Sequence, residues 1–293
     1  MTVQEHVAFG KQLGECEPHA VAAGHPEAPE VLEIVREPTA EVVFGENWHS
    51  DNSFMHKTCS YSILKIAVAP RRGANDTLFS STEAAYDALS PTMKDLLHGL
   101  QAYHSANKAY GAGSTTNSRA AMEATMSMEL LDESPIMKTV GGVGRIGGGG
   151  RGGAGGVGSL NPTQSNVRKS HQLTSHRSLP TPSQDVLQPI VTVHPDTGRR
   201  NLFVSPTFTK EIHGMQREES QALLQFLYAH IARPEFTARV SWDEGQVTMW
   251  DNRMLSHRGI ADDCSEMRVV QRVSIRGHTP FDIEGKSYAQ PQL

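Results

Sequence analysis

The chain has 293 residues, a mild formal net charge of -5 and three cysteines, Cys16, Cys59 and Cys264, widely separated and without a C-x-x-C pair. These features argue against a nucleic-acid surface, a polybasic membrane patch, a disulfide framework and a cysteine-rich zinc site. No apolar run approaches the roughly 20 residues that span a bilayer, and Met1-Thr2-Val3-Gln4-Glu5-His6 lacks the features of a signal peptide, so a soluble, cytoplasmic protein is expected. Residues 1–15 predict a short helix with Val3, Val7, Phe9 and Leu13 on one side and Gly14 near its end. Val31-Leu32-Glu33-Ile34-Val35 and Tyr61 to Val68 are runs rich in branched residues and predict strands. Ser81 to Leu100 predicts helix, with Thr82 capping one segment and Ser90-Pro91 starting a second.

From about Gly111 to Asp185 periodicity fades, and Gly141 to Gly158 holds 12 glycines in 18 residues. Such a stretch cannot bury enough apolar surface to offset its ordering entropy. The expectation is a single domain over 1–293, interrupted at about 111–185 by a disordered insertion. Order resumes at Leu187 to Pro195, with a turn at Asp196-Thr197-Gly198 and a strand at Asn201-Leu202-Phe203-Val204. Glu218 to Ala232 predicts a helix with Leu223, Leu224, Phe226, Leu227 and Ile231 on its apolar face. Strands are predicted again at Phe236–Trp242, Gln246–Trp250 and Met267–Ile275.

The residues that carry chemistry lie on this β framework. On a strand, His49 and Asp51 face one way and Ser50 the other, so an imidazole and a carboxylate can chelate one metal. His257 is the expected third ligand, delivered to a cavity mouth by the end of the strand Val247-Thr248-Met249-Trp250. Two histidines and one carboxylate on one face of an octahedron suit iron(II) and leave three positions open. One face of the last strand carries Arg268, Val270, Arg272 and Ser274. Arginines turned into a pocket need anionic partners, because an unpaired buried charge costs several kcal/mol, and a guanidinium binds carboxylate or sulfonate in a fixed fork.

The order His49-x-Asp51, Thr77, His257, Arg268 resembles the iron(II)- and 2-oxoglutarate-dependent dioxygenases of the taurine dioxygenase and aryloxyalkanoate dioxygenase group. The likeness runs through Leu89-Ser90-Pro91-Thr92-Met93, His104-Ser105-Ala106, His194-Pro195, Thr197-Gly198-Arg199, Gly214-Met215, Phe226-Leu227-Tyr228, His230 and Trp250-Asp251-Asn252. It implies a mainly β double-stranded β-helix, or jelly roll, with peripheral helices. It implies that His49, Asp51 and His257 hold Fe(II), and that Thr77 and Arg268 hold the distal carboxylate of 2-oxoglutarate. Arg272 would lie near the anionic group of cosubstrate or substrate, and Asn52 and Phe54 would wall the pocket. The implied reaction takes dioxygen and a small anionic substrate (a sulfonate, sulfate ester or aryloxy acid) and releases succinate and carbon dioxide. The resemblance also implies several dozen further residues before the segment like Glu5–Gly14, hence a truncated chain, and a lid-like segment where the glycine-rich stretch lies.

Other readings attach to the same residues. A non-catalytic barrel serving as a binding or interaction module is the alternative expectation, and a homo-oligomer stays open. Zinc hydrolysis on the same ligands leaves Arg268 and Thr77 without a role. Thr77 also suits a turn hydroxyl after Gly73-Ala74-Asn75-Asp76, and Arg272 a barrel rim. Gly142-Val143-Gly144-Arg145-Ile146-Gly147 matches G-x-G-x-x-G without the strand and helix that give a dinucleotide site its mechanics. His104, His194, His213 and His230 are expected to be packing or loop histidines.

Overall fold

The computed structural model describes residues 1–38, 45–110, 185–263 and 265–289. The expected insertion, save Asp185, lies outside these residues, as do the G-x-G-x-x-G stretch and Cys264. Helix α1 spans Val3–Gly10 and begins at a capping box, with Thr2 Oγ1 accepting from the Glu5 amide and the Glu5 carboxylate accepting from the Thr2 amide. Val3, His6, Val7 and Gly10 are its buried face, at helical spacing. The helix stops short of the expected Gly14, and Phe9 and Leu13 are exposed. Phe9 is two positions from Val7 and so cannot share its face. Gly10 lies so close to the sheet that a Cβ there would meet Cys16 Sγ at 2.9 Å.

The main sheet has five antiparallel strands: β1 (Cys16–Glu17), β2 (Val31–Arg36), β3 (Cys59–Val68), β11 (Val247–Asp251) and β13 (Arg268–Arg276). Strand β13 is its spine, pairing with β1 and β2 on one side and with β3 on the other, while β11 forms the far edge against β3. A second sheet orders β10 (Thr237–Val240), β4 (Thr77–Ser81) and β12 (Leu255–Gly259). The two sheets share one core. Leu64, Ile66, Val270 and Trp250 of the first pack with Phe79 of the second and with Trp242, just after β10. Each such buried side chain stabilises the fold by about 1.5–3 kcal/mol, so the apolar faces of the two sheets are pressed together around whatever polar groups they enclose.

A flanking layer covers this sandwich. Helices α2 (Thr82–Asp87), α3 (Pro91–Leu97) and α5 (Arg217–Ile231) pack around β5 (Gln101–His104), β6 (Val186–Pro189), β7 (Val191–Val193), β8 (Arg200–Leu202) and β9 (Thr209–Ile212), and the short α4 (Ala106–Tyr110) follows β5. Ser81, not the expected Thr82, caps α2, because its extended backbone aims Oγ at the Ala84 amide. The run expected from Leu187 to Pro195 divides at Ile190, one part pairing with β5 and the other with β8. On α5, Leu224, Leu227 and Ile231 are buried, whereas Phe226 is exposed and stacks on His230. No helix among the described residues is long and apolar enough to cross a membrane.

Candidate active site

His49 does not lie on the strand that the sequence suggests. It forms a single antiparallel bridge with His257, and the chain then turns through Asn52, whose backbone is left-handed at φ 54°. His257 likewise lies inside β12 rather than beyond the end of β11. The two histidines exchange backbone hydrogen bonds, His49 N to His257 O at 3.0 Å and His257 N to His49 O at 2.8 Å. The Asp51 carboxylate, at the start of that turn, reaches the same point as both rings. The ligand atoms of His49, Asp51 and His257 all lie within 4.8 Å of one another, and all three residues are buried.

The donor set fits a divalent metal. His49 Nε2 lies 3.8 Å from Asp51 Oδ1 and His257 Nε2 lies 3.9 Å from Asp51 Oδ2. Those gaps are too long for hydrogen bonds, but a common ion with bonds of roughly 2 Å can span them. His49 Nδ1 donates to Asn47 O at 2.7 Å, which leaves Nε2 with its lone pair free. Burial keeps both imidazoles neutral. It lowers His49, with Asp51 opposing, and pushes His257 down to about 3, with His49 adding to the effect. Burial alone would raise the Asp51 carboxyl, yet Arg272, His257, His49 and the Ser62 hydroxyl together hold it well below the usual carboxylate range. Two neutral imidazoles and one anionic carboxylate are the protonation states that ligation requires.

Asp51 is held in place by its surroundings. Ser62 Oγ donates to Asp51 Oδ2 at 2.6 Å and Arg272 Nη1 donates to Asp51 Oδ1 at 2.5 Å. Asn252 closes a ring of hydrogen bonds. Its Oδ1 accepts from the Asp51 amide and from Trp250 Nε1, both at 3.1 Å, and its Nδ2 donates to Ser62 Oγ at 2.9 Å. Asn252 was legible only as part of Trp250-Asp251-Asn252, and Ser62 gave no sign beyond being a hydroxyl in an apolar strand.

The arginine end is equally defined. Thr77 opens β4, and the β4–β12 register pairs Phe79 with His257 and Thr77 with Gly259. Residues two apart share a face, so Thr77 lies on the His257 side, one repeat along. Its Oγ1 accepts from Trp242 Nε1 at 3.1 Å. Arg268 and Arg272 share a face of β13, four residues apart, so they run from Asp51 towards the Thr77 end. Burial and the neighbouring Arg36 bring the Arg268 guanidinium down to about 10, while Asp76 opposes them. The Nε atoms of Arg268 and Arg272 are buried without a hydrogen-bond partner among the described residues. Buried donors of this kind are satisfied in nearly all native proteins, which suits an anionic ligand at this end of the cavity.

Of the two expected wall residues, Asn52 is buried in the turn and Phe54 stacks behind Phe208 at 4.9 Å. Phe208, which the sequence did not single out, presents its edge to His49 at 6.1 Å. His19 and Tyr110 are two more unforeseen neighbours. Their rings meet edge to face at 6.5 Å, and both feel the charges of Arg272 and Asp51. The remaining histidines pack as expected: His104 hydrogen-bonds Ser53, His194 contacts Asp251, His213 meets Tyr103, and His230 reaches Ala85 O.

Comparison with known proteins agrees with this geometry. Residues 1–274 match the family described as taurine catabolism dioxygenase TauD, TfdA family. A putative alpha-ketoglutarate-dependent sulfonate dioxygenase of Schizosaccharomyces pombe is 31% identical over 235 residues, covering 80% of this chain and 45% of that protein. An alpha-ketoglutarate-dependent sulfate ester dioxygenase of Pseudomonas putida is 28% identical over 287 residues, covering 97% of this chain and 76% of the relative. The crystal structure of a taurine dioxygenase from Burkholderia xenovorans superimposes with a TM-score of 0.66 at 25% identity, over 99% of this chain and 79% of that one. The antiparallel sandwich is thus the jelly roll of those enzymes, and the chain belongs to the TauD/TfdA family of taurine catabolism dioxygenases.

Proposed function

We propose that this chain is an Fe(II)- and 2-oxoglutarate-dependent dioxygenase that hydroxylates a small anionic organic substrate, a sulfonate, sulfate ester or aryloxy acid, and yields succinate and carbon dioxide. The observation that carries the reading is the convergence of His49, Asp51 and His257 on one buried point, with Arg272 paired to Asp51 and Arg268 on the same face of β13. Iron(II) held by those three ligands would supply the activation of dioxygen that oxidises the cosubstrate and then the substrate.

The protein's own groups account for the rest. Arg268 and the Thr77 hydroxyl hold the distal carboxylate of 2-oxoglutarate, which orients its keto acid end towards the metal ligands. Arg272, already beside Asp51, offers its free Nε to the anionic group of cosubstrate or substrate. Phe208, Phe54 and Tyr110 form an aromatic wall that keeps water from the reacting carbon. The unbridged thiols Cys16 and Cys59 support a reducing, cytoplasmic setting. The test is anaerobic addition of Fe(II) and 2-oxoglutarate to the purified chain, followed by oxygen and a panel of the three substrate classes. A weak visible charge-transfer band, then succinate formed in step with one class, is the expected result. Absence of metal retention and of the band would overturn the proposal.

A further inference from the structure

Arg36 ends β2 and faces Arg268 directly in the β2–β13 register. Opposed residues in an antiparallel pair project from the same face, so two guanidinium groups stand side by side at the arginine end of the cavity. Arg36 is only 4% exposed. One end of its fork donates to the side-chain carbonyl of Asn75, and the other donates to the backbone carbonyl of Glu266 at 2.7 Å. Asn75 stands two residues before Thr77, and Glu266 stands two residues before Arg268. The same Asn75 is left-handed at φ 57° and is tied to the opposite loop, its amide donating to Asp262 Oδ1 at 2.7 Å and its Nδ2 to Asp263 O. A single buried guanidinium therefore joins β2 to the two loops that deliver Thr77 and Arg268.

We infer that Arg36 is a positioning residue for the cosubstrate: it fixes the separation of Thr77 and Arg268 and adds a second positive charge, so that the pocket selects a 2-oxo acid bearing a distal carboxylate. This role rests on the 2-oxoglutarate reading above. An arginine is suited to it because its planar fork reaches two acceptors at once, whereas a lysine keeps the charge but offers a single point.

The experiment compares the binding of 2-oxoglutarate with that of 2-oxopentanoate, which lacks the distal carboxylate, by calorimetry on the full chain loaded with Mn(II). For Arg36→Met the affinity for 2-oxoglutarate should fall by about 10-fold or more, of the order seen when groups supporting a binding site are removed. Affinity for 2-oxopentanoate and for Mn(II) should hold, so the preference between the two acids collapses. Arg36→Lys should recover part of that preference. Equal weakening of both acids would mean general loosening of the fold, and an unchanged ratio would mean no role; either result overturns the inference. If Arg36→Met does not fold, Asn75→Gly removes the carbonyl that accepts from Arg36, together with the Nδ2 bond to Asp263 O, while keeping the left-handed backbone accessible, and it must lower the same ratio for the inference to stand. A native chain that shows no preference for 2-oxoglutarate would instead overturn the cosubstrate reading itself, and this role with it.

Discussion

At the metal end of the cavity one carboxylate, Asp51, is surrounded by donors from Ser62 and Arg272 and by two neutral rings. At the other end two guanidinium groups, Arg36 and Arg268, stand together, with Asp76 opposing the pull of burial and Arg36 on Arg268. The first end supplies two neutral donors and one anionic donor, the set that a divalent cation takes. The second carries two neighbouring guanidinium groups and, at Arg268 Nε, a buried donor without a partner among the described residues, which under the proposed function an anion completes. Under the proposed function these are two separate binding events, so each can be removed without the other.

Four substitutions or conditions break or sharpen that separation. His257→Ala has the largest expected effect, lowering Mn(II) affinity in equilibrium dialysis by more than about 100-fold, since it removes a ligand and not merely a supporting group. Next, Arg268→Ala should weaken 2-oxoglutarate by about 30-fold or more, equivalent to the 2–5 kcal/mol typical of truncating one partner of a buried charge pair. Metal affinity should survive that change; a loss as deep as that in His257→Ala would show that the two ends act as one. Asn252→Ala leaves the Asp51 amide and Trp250 Nε1 without their acceptor, at a cost of about 1–3 kcal/mol in chemical denaturation. It should also weaken Mn(II) by about 10-fold while sparing 2-oxoglutarate in protein saturated with metal.

The effect of pH on overall stability belongs to neither end. Burial holds His6 down to about 4 and His104 down to about 3, so the native state stays neutral where the unfolded chain takes up protons. Both shifts are depressions of a histidine, so their contribution is fully present above about pH 6.5 and is lost as pH falls from there towards 4. Unfolding free energy should therefore drop between pH 7 and pH 5, by about 2 kcal/mol for each of the two histidines. A His104→Asn variant that keeps the full wild-type pH slope would assign the loss to other groups.

The parts of the site legible in the sequence are those whose spacing has a local cause. His49 and Asp51 are two apart, and Arg268 and Arg272 four apart on a strand, so common faces followed from strand periodicity alone. Even there no strand was needed, because His49 makes only an isolated bridge and Asp51 lies in the turn that follows it. Ser62, Phe208, His19, Tyr110 and Arg36 were not legible. Each reaches the cavity only through pairing between distant segments, and in the sequence Arg36 is simply the last residue of a strand. Strand interiors rich in branched residues were readable, whereas the break at Ile190 and the exposure of Phe9 and Phe226 depended on what each element packs against.

The pair of backbone hydrogen bonds between His49 and His257 has a consequence for chain length. Together they clasp a loop that contains most of the protein, and the entropy of closing such a loop grows only logarithmically. Doubling its contour would cost about 0.6 kcal/mol, less than the loss of a single buried hydrogen bond with its partner left unsatisfied. The number of residues between the two histidines is thus weakly constrained and the geometry at the clasp strongly so. Segments can lengthen or shorten within the loop over evolutionary time while the three ligands keep their places.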